Sequence, residues 1–198
     1  VQFRRRAEEA AAGSTRKRIS IDALKNLLID VPKLGEQHKI ADCLSSLDDL
    51  IAAQNRKLDT LNDHKQGLLQ QLFPAEGETL PRLRFAEFRD APEWEEKPLA
   101  FLCNMRAGQY VAATDISEHY EDGLYPCYGG NGLRGYTKTF THSGTYPLIG
   151  RQGALCGNVK LGKGQFHATE HAVVATPKSS IDVEWLFYNL VNLNLNQY

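Results

Sequence analysis

The chain has 198 residues, of which 42% are hydrophobic and 24% charged, and its formal net charge is -1. This is globular composition, with length for one generous domain or two small units. No run of about eighteen apolar residues occurs, which excludes a helical membrane span. Cys43, Cys103, Cys127 and Cys156 form no CxxC pair, which argues against a zinc ribbon and a disulfide-stapled secreted domain.

The start of the chain lacks the pattern of a signal peptide, so a cytoplasmic location is expected. Its first residue is Val1 rather than Met, as expected of a fragment. The near-zero charge hides a patchwork. Residues 1–35 hold eight Lys/Arg against four Asp/Glu, residues 74–96 three against seven, and residues 134–178 six against one, Glu170. A basic face binds phosphates despite a neutral total, because screening limits distant acids to a reach of about 10 Å.

In chain order, FRRRAEEAAA (3–12) reads as a short helix ended by Gly13, and GSTRKRIS as a loop. IDALKNLLIDVP is mixed and stops at Pro32, with LLIDV as an expected strand. The strongest pattern follows. Ile40, Leu44, Leu47, Ile51, Gln54, Leu58, Leu61, Lys65, Leu68 and Leu72 are spaced alternately by four and three, with no proline between them. This heptad seam predicts a helix over 36–72, about 55 Å long, that Pro74 stops. So long a helix cannot bury its seam on itself, and the other helical segments are short, so a second chain is the expected partner. Polar Gln54 and Lys65 on the seam fix register and orientation. Packing of the seam on the chain's own globular part is the alternative.

Residues 74–96 form an acidic connector with three prolines. From 98 onward short β-like runs alternate with glycine turns, which predicts a β-rich domain. Val183, Leu186, Phe187, Leu190 and Val191 then fall at helical spacing, with Asp182 as N-cap. The end at Tyr198 lacks a closing turn, as expected of an incomplete domain.

Two motifs suggest chemistry and fail on context. Gly130–Gly135 matches GxGxxG, but a strand-like stretch follows it where a dinucleotide site needs a helix, so a turn is expected. His167-Ala168-Thr169-Glu170-His171 matches HxxEH, but its Thr- and Val-rich surroundings favour a strand. There the histidines would lie about 13 Å apart, too far for one metal. Neither a metal nor a cofactor is expected. With no GxSxG elbow, Walker loop or Asn/Asp-Pro-Pro-Tyr/Phe tetrad in the sequence, a binding or recognition protein without catalysis is expected.

The nucleic-acid reading rests on residue types. Arg134, Lys138, Arg151, Lys160 and Lys163, with Arg16, Lys17 and Arg18 near the start, suit phosphates. Arg151 and Gln152 have the forked geometry that reads base edges, and Asn131 sits in a glycine turn that allows close approach. For any one of these, a structural role is an open alternative.

VPKLGEQHKIADCLSSLDDLI and LDTLNDHKQGLLQQLF (within 31–73), LPRLRFAEFRDAPEWEEKPL (80–99), YPCYGGNGLRGY (125–136), IGRQGALCGNV (149–159) and ATEHAVVATP (168–177) together resemble the DNA-specificity subunit of type I restriction–modification systems. The resemblance implies an α+β fold, with a β-rich target-recognition domain joined to a long coiled-coil-forming spacer helix. It implies a non-catalytic subunit that binds double-stranded DNA and a methyltransferase subunit and, through that, a restriction subunit. A coiled-coil scaffold that binds the methyltransferase without reading DNA is the alternative, and an HxxEH metalloenzyme the third class.

The order of parts departs from the family's two copies of domain plus helix. Here a domain tail (1–34) precedes one spacer helix (35–73), a connector (74–81) and a domain head (82–198). Tail and head together make about 150 residues, a plausible single domain in permuted order. A rod about 55 Å long would hold them apart, whereas an antiparallel pair would set the tail of one chain beside the head of its partner. The expectation is a two-fold homodimer with two swapped recognition domains, directed to two inverted half-sites.

Overall fold

Proline and glycine placement decides where this chain can be helical and where it must turn. The computed structural model describes residues 20–153 and 156–197. The helix expected at 3–12 and the basic residues Arg16, Lys17 and Arg18 lie outside them. Two units divide the chain, Val1–Thr60 and Leu61–Tyr198.

In the first unit, helix α1 (Ile21–Lys25) starts at Ser20, whose Oγ accepts from the Ala23 N–H at 3.1 Å. The strand expected at LLIDV does not form, and residues 27–31 lie in neither helix nor strand. Leu28, Ile29 and Val31 are all exposed. Helix α2 (Leu34–Leu72) follows, 39 residues or about 58 Å of rod. With no proline inside it, nothing interrupts its backbone ladder, and Ser45 and Thr60 return hydrogen bonds to the carbonyls of Ala41 and Arg56. The expected span, 36–72, is thus two residues short at its start.

The second unit is built on a six-stranded sheet: β1 (Cys103–Ala107), β2 (Tyr125–Gly129), β3 (Gly132–Thr137), β4 (His142–Gly150), β5 (Val159–Ala168) and β6 (Ala172–Pro177). Their order is β1-β6-β4-β5-β2-β3, and every neighbouring pair is antiparallel except β5 beside β2. The α+β architecture is as expected. Helix α3 (Leu99–Leu102) leads into β1, and helix α4 (Val183–Asn192) starts where Asp182 accepts from the Trp185 N–H at 2.7 Å. Leu186 and Leu190 of α4 pack with Cys103 of β1 and Ala175 of β6 on one face of the sheet. Leu148, Phe166, Ala168 and Val174 form the core on the other.

One bend shapes that second face. Gly144 and Gly164 face each other across β4 and β5 with φ of +131° and +75°, values that L side chains rarely adopt. The Phe166 ring comes back over Gly162, where a Cβ would stand 2.8 Å from it. In a straight strand those residues would be about 13 Å apart, so the ribbon bends at the glycine pair.

The connector is ordered rather than loose. Gln71 and Thr79 carbonyls accept from the Leu83 and Trp94 N–H groups, and Arg84 donates to the carbonyls of Ala91 and Pro92. Trp94, Phe73 and Trp185 meet with ring centroids 6.2 to 6.4 Å apart. The last turns of α2 therefore belong with this unit: Leu69 is buried, Leu68 and Leu72 are half-buried, and Lys65 Nζ lies 5.3 Å from the Tyr188 ring centroid.

Candidate nucleic-acid interface

Three turns converge at one end of the sheet. The two-residue turn Gly130-Asn131 joins β2 to β3, so the GxGxxG stretch forms a hairpin, as expected. The segment after β4 carries Arg151 and Gln152, and the turn at 169–171 joins β5 to β6. The Arg151 N–H donates to the His171 carbonyl at 3.1 Å, and the Thr169 N–H to the Tyr128 carbonyl at 2.8 Å. Gly130 lies between: a Cβ there would stand 3.2 Å from the carbonyl oxygens of both Gln152 and His171. A side chain at 130 would press both carbonyls back by a few tenths of an ångström.

Sequence-read residues meet on this framework. Asn158 Nδ2 donates to Asn131 Oδ1 at 3.4 Å, the Lys160 stem lies beside Gly132, and Arg134 and Thr169 flank Gly129. Asn131, Arg134, Arg151, Gln152 and Lys160 are exposed. His171 Nε2 lies 3.2 Å from Glu170 Oε1, which places one acid among these bases. The other two cations stand elsewhere. Lys138 follows β3 and is exposed, whereas Lys163 reaches Glu184 of α4 at 3.0 Å, on the face α4 covers.

The HxxEH residues do not share a helix. His167 is the last residue but one of β5, and His171 lies in the turn beyond it. His167 Nε2 donates to the Gln109 carbonyl and its Nδ1 meets Thr139 Oγ1, both at 3.2 Å, so neither nitrogen faces outward as a ligand. Cys127 is fully buried, and burial pushes its thiol above the ordinary range, partly offset by Arg134.

Sequence reading missed a groove of about 330 Å³ on the face away from α4, lined by Asn104, Arg106, His142, Val174 and Thr176. Alternation in CNMRA was the available signal: buried Cys103 turns Asn104 and Arg106 to the opposite face.

The seam divides in two. Ile40, Leu44, Leu47, Ile51, Leu58 and Leu61 are each 48% to 58% exposed, and Gln54 is exposed among them. No described helix is long and apolar enough to cross a membrane.

Comparison with known proteins bears on this arrangement. A family model, the type I restriction modification DNA specificity domain, matches residues 4–63. The type I restriction enzyme EcoprrI specificity subunit of Escherichia coli is 53% identical over 110 residues, 55% of this chain and 27% of that protein. The type I restriction enzyme MjaVIII specificity subunit of Methanocaldococcus jannaschii is 30% identical over 96 residues, 48% of this chain and 23% of that protein. The crystal structure of the type I restriction-modification system S subunit from M. genitalium shares the fold, with a TM-score of 0.62 and 24% identity over 96% of this chain and 50% of that one. The chain thus spans about a quarter of the curated relatives it matches and half of the solved one. The resemblance read from the sequence holds: the chain is related to the specificity subunits of type I restriction–modification systems.

Proposed function

We propose that this chain is a half-size DNA-recognition subunit, without catalysis of its own, that pairs through α2 and directs methyltransferase and restriction subunits to a bipartite site on double-stranded DNA. The observation that carries this is the convergence of Asn131, Arg134, Arg151, Gln152 and Lys160 at one end of the sheet. They sit in a chain related to proteins named specificity subunits. The cations neutralise phosphates, while Arg151, Gln152 and Asn131 supply the forked and amide groups that read guanine and adenine. Lys138 adds a phosphate contact beyond β3.

The exposed stripe from Ile40 to Leu61 supports pairing. Each of its six aliphatic side chains would gain about 1 kcal/mol on passing from half-exposed to buried. In an antiparallel pair, the tail of one chain (1–34) completes the recognition head of the other (82–198). The DNA site then has two inverted half-sites at a spacing set by the helix pair.

Selection of bound duplexes from a random pool, with and without methyltransferase subunit, tests this. The expected result is an inverted bipartite site, with affinity that falls steeply with salt. Binding of the methyltransferase subunit with no preference among duplexes would establish the scaffold reading instead.

A further inference from the structure

The groove on the sheet face opposite α4 differs from the turn cluster in kind. Its wall is β1, which lies at the edge of the sheet. Asn104 pairs across the ladder with Thr176, and Arg106 with Val174, so four of the five lining residues form one block of two strands. The fifth, His142, is fixed on three sides. Its ring stacks on Phe166 at 5.5 Å and 10°, Tyr146 meets it edge-on at 5.5 Å, and Nδ1 lies 2.7 Å from Thr141 Oγ1.

Several other cations of this unit have partners within it. Both Nη atoms of Arg84 donate to backbone carbonyls, Lys178 donates to the Ala100 carbonyl, Lys97 pairs with Glu95, and Lys163 with Glu184. The side chains of Arg106 and Asn104 are exposed, and beyond the backbone ladder neither has a hydrogen bond or ion pair to any described residue. A guanidinium and an amide thus line one small groove, with no role in holding the fold.

We propose that this groove reads base edges of duplex DNA, with Arg106 on a guanine and Asn104 on a second base two steps along. The proposal rests on the DNA-recognition reading above and assigns it residues outside the turn cluster. A phosphate offers only acceptors and calls for donors alone. This groove mixes the Arg106 donors with acceptors on Asn104 and Thr176, an imidazole and the methyl groups of Val174, which is the mixture that base edges present. It holds a single formal charge. Alternate residues of a strand lie about 6.7 Å apart, close to twice the 3.4 Å spacing of stacked bases, so the two side chains address separate positions. Burial and the nearby His167 hold the His142 imidazole below its ordinary pKa, which keeps it neutral at pH 7.

The full-length variants Arg106→Ala, Arg106→Lys and Asn104→Ala test this in the same random-pool selection, followed by titration at several salt concentrations. Arg106→Ala is expected to keep the wild-type melting curve and to lose about ten- to a hundredfold in affinity for the selected duplex. Its binding to unrelated duplexes should hardly change, and the preference should flatten at one G·C position. Arg106→Lys is expected not to restore that preference, since an ammonium lacks the fork. Asn104→Ala should flatten a different position. Unaltered selection by all three variants would overturn the proposal. So would an equal loss on every duplex that lysine repairs, since that marks a phosphate contact. A wild-type chain that selects no sequence would overturn the DNA reading itself, and this groove with it.

Discussion

The two units handle apolar surface in opposite ways. In the second, the sheet is filled on both faces, and Phe166, Leu186 and Leu190 are fully buried. In the first, no described residue is buried, and the apolar stripe of α2 is exposed from Ile40 to Leu58. A β-rich domain finds its partners within its own chain, because turns return each strand to a neighbour. A long helix closes its hydrogen bonds within itself and leaves its apolar stripe to be covered by another element. The contrast therefore separates stability that the sheet domain supplies for itself from stability that the proposed pairing through α2 would supply.

The largest expected effect lies on the rod. Leu47→Glu together with Leu58→Glu places two charges on the stripe without touching the sheet. The association constant, measured by light scattering against concentration, should fall by at least about a hundredfold. The near-ultraviolet signal of Trp94 and Trp185 should stay as it is. Loss of that signal would mean that the two regions depend on each other.

A smaller effect is expected in the sheet domain. Leu190→Ala empties a fully buried position and should cost about 2–5 kcal/mol in denaturant unfolding of that domain. Leu47→Ala, at an exposed position, should act only through concentration-dependent association. Equal, concentration-independent losses at both sites would erase the distinction.

Gly162→Ala drives a Cβ to 2.8 Å from the Phe166 ring. The expected cost is about 1–3 kcal/mol, read as a lowered midpoint for the sheet domain. An unchanged midpoint would show that the β4–β5 bend yields freely.

The gentlest probe is pH. Burial first, and then His167, lowers the pKa of His142 from the ordinary 6.5. The unfolded chain therefore takes up this proton at higher pH than the folded one. The stability conferred by the neutral ring is full above pH 6.5 and is lost as pH falls through the lower folded value. His142→Phe keeps the stacking and should flatten that part of the pH–stability curve. A curve of wild-type shape would assign the slope to other groups.

How far each feature was legible follows from how local its cause is. The heptad spacing, the stop at Pro74 and the cap at Asp182 are signals within a few residues, and α2 and α4 formed nearly where they predict. The GxGxxG stretch read correctly as a turn because a strand-like run follows it. LLIDV misled because an apolar run is a signal that strand and extended loop share, and residues 27–31 take neither helix nor strand. The ordered connector escaped notice because Trp94 gains its meaning from Phe73 and Trp185, far apart in sequence. Of the site, Asn131, Arg134, Arg151, Gln152 and Lys160 were legible by type, and their meeting depends on the β5–β2 pairing and on Gly130. Lys163 differs from them in reaching Glu184 of α4, a pairing that sequence spacing does not reveal. Asn104, Arg106 and His142 carry no motif, and only the sheet order gathers them.

Sedimentation equilibrium of the intact chain, from about 0.1 to about 100 μM, tests the proposed pairing through α2 directly. The expected mass rises to twice 22.2 kDa as concentration increases. A mass of 22.2 kDa across the whole range, with the helical circular-dichroism signal intact, would contradict the pairing of two copies through α2.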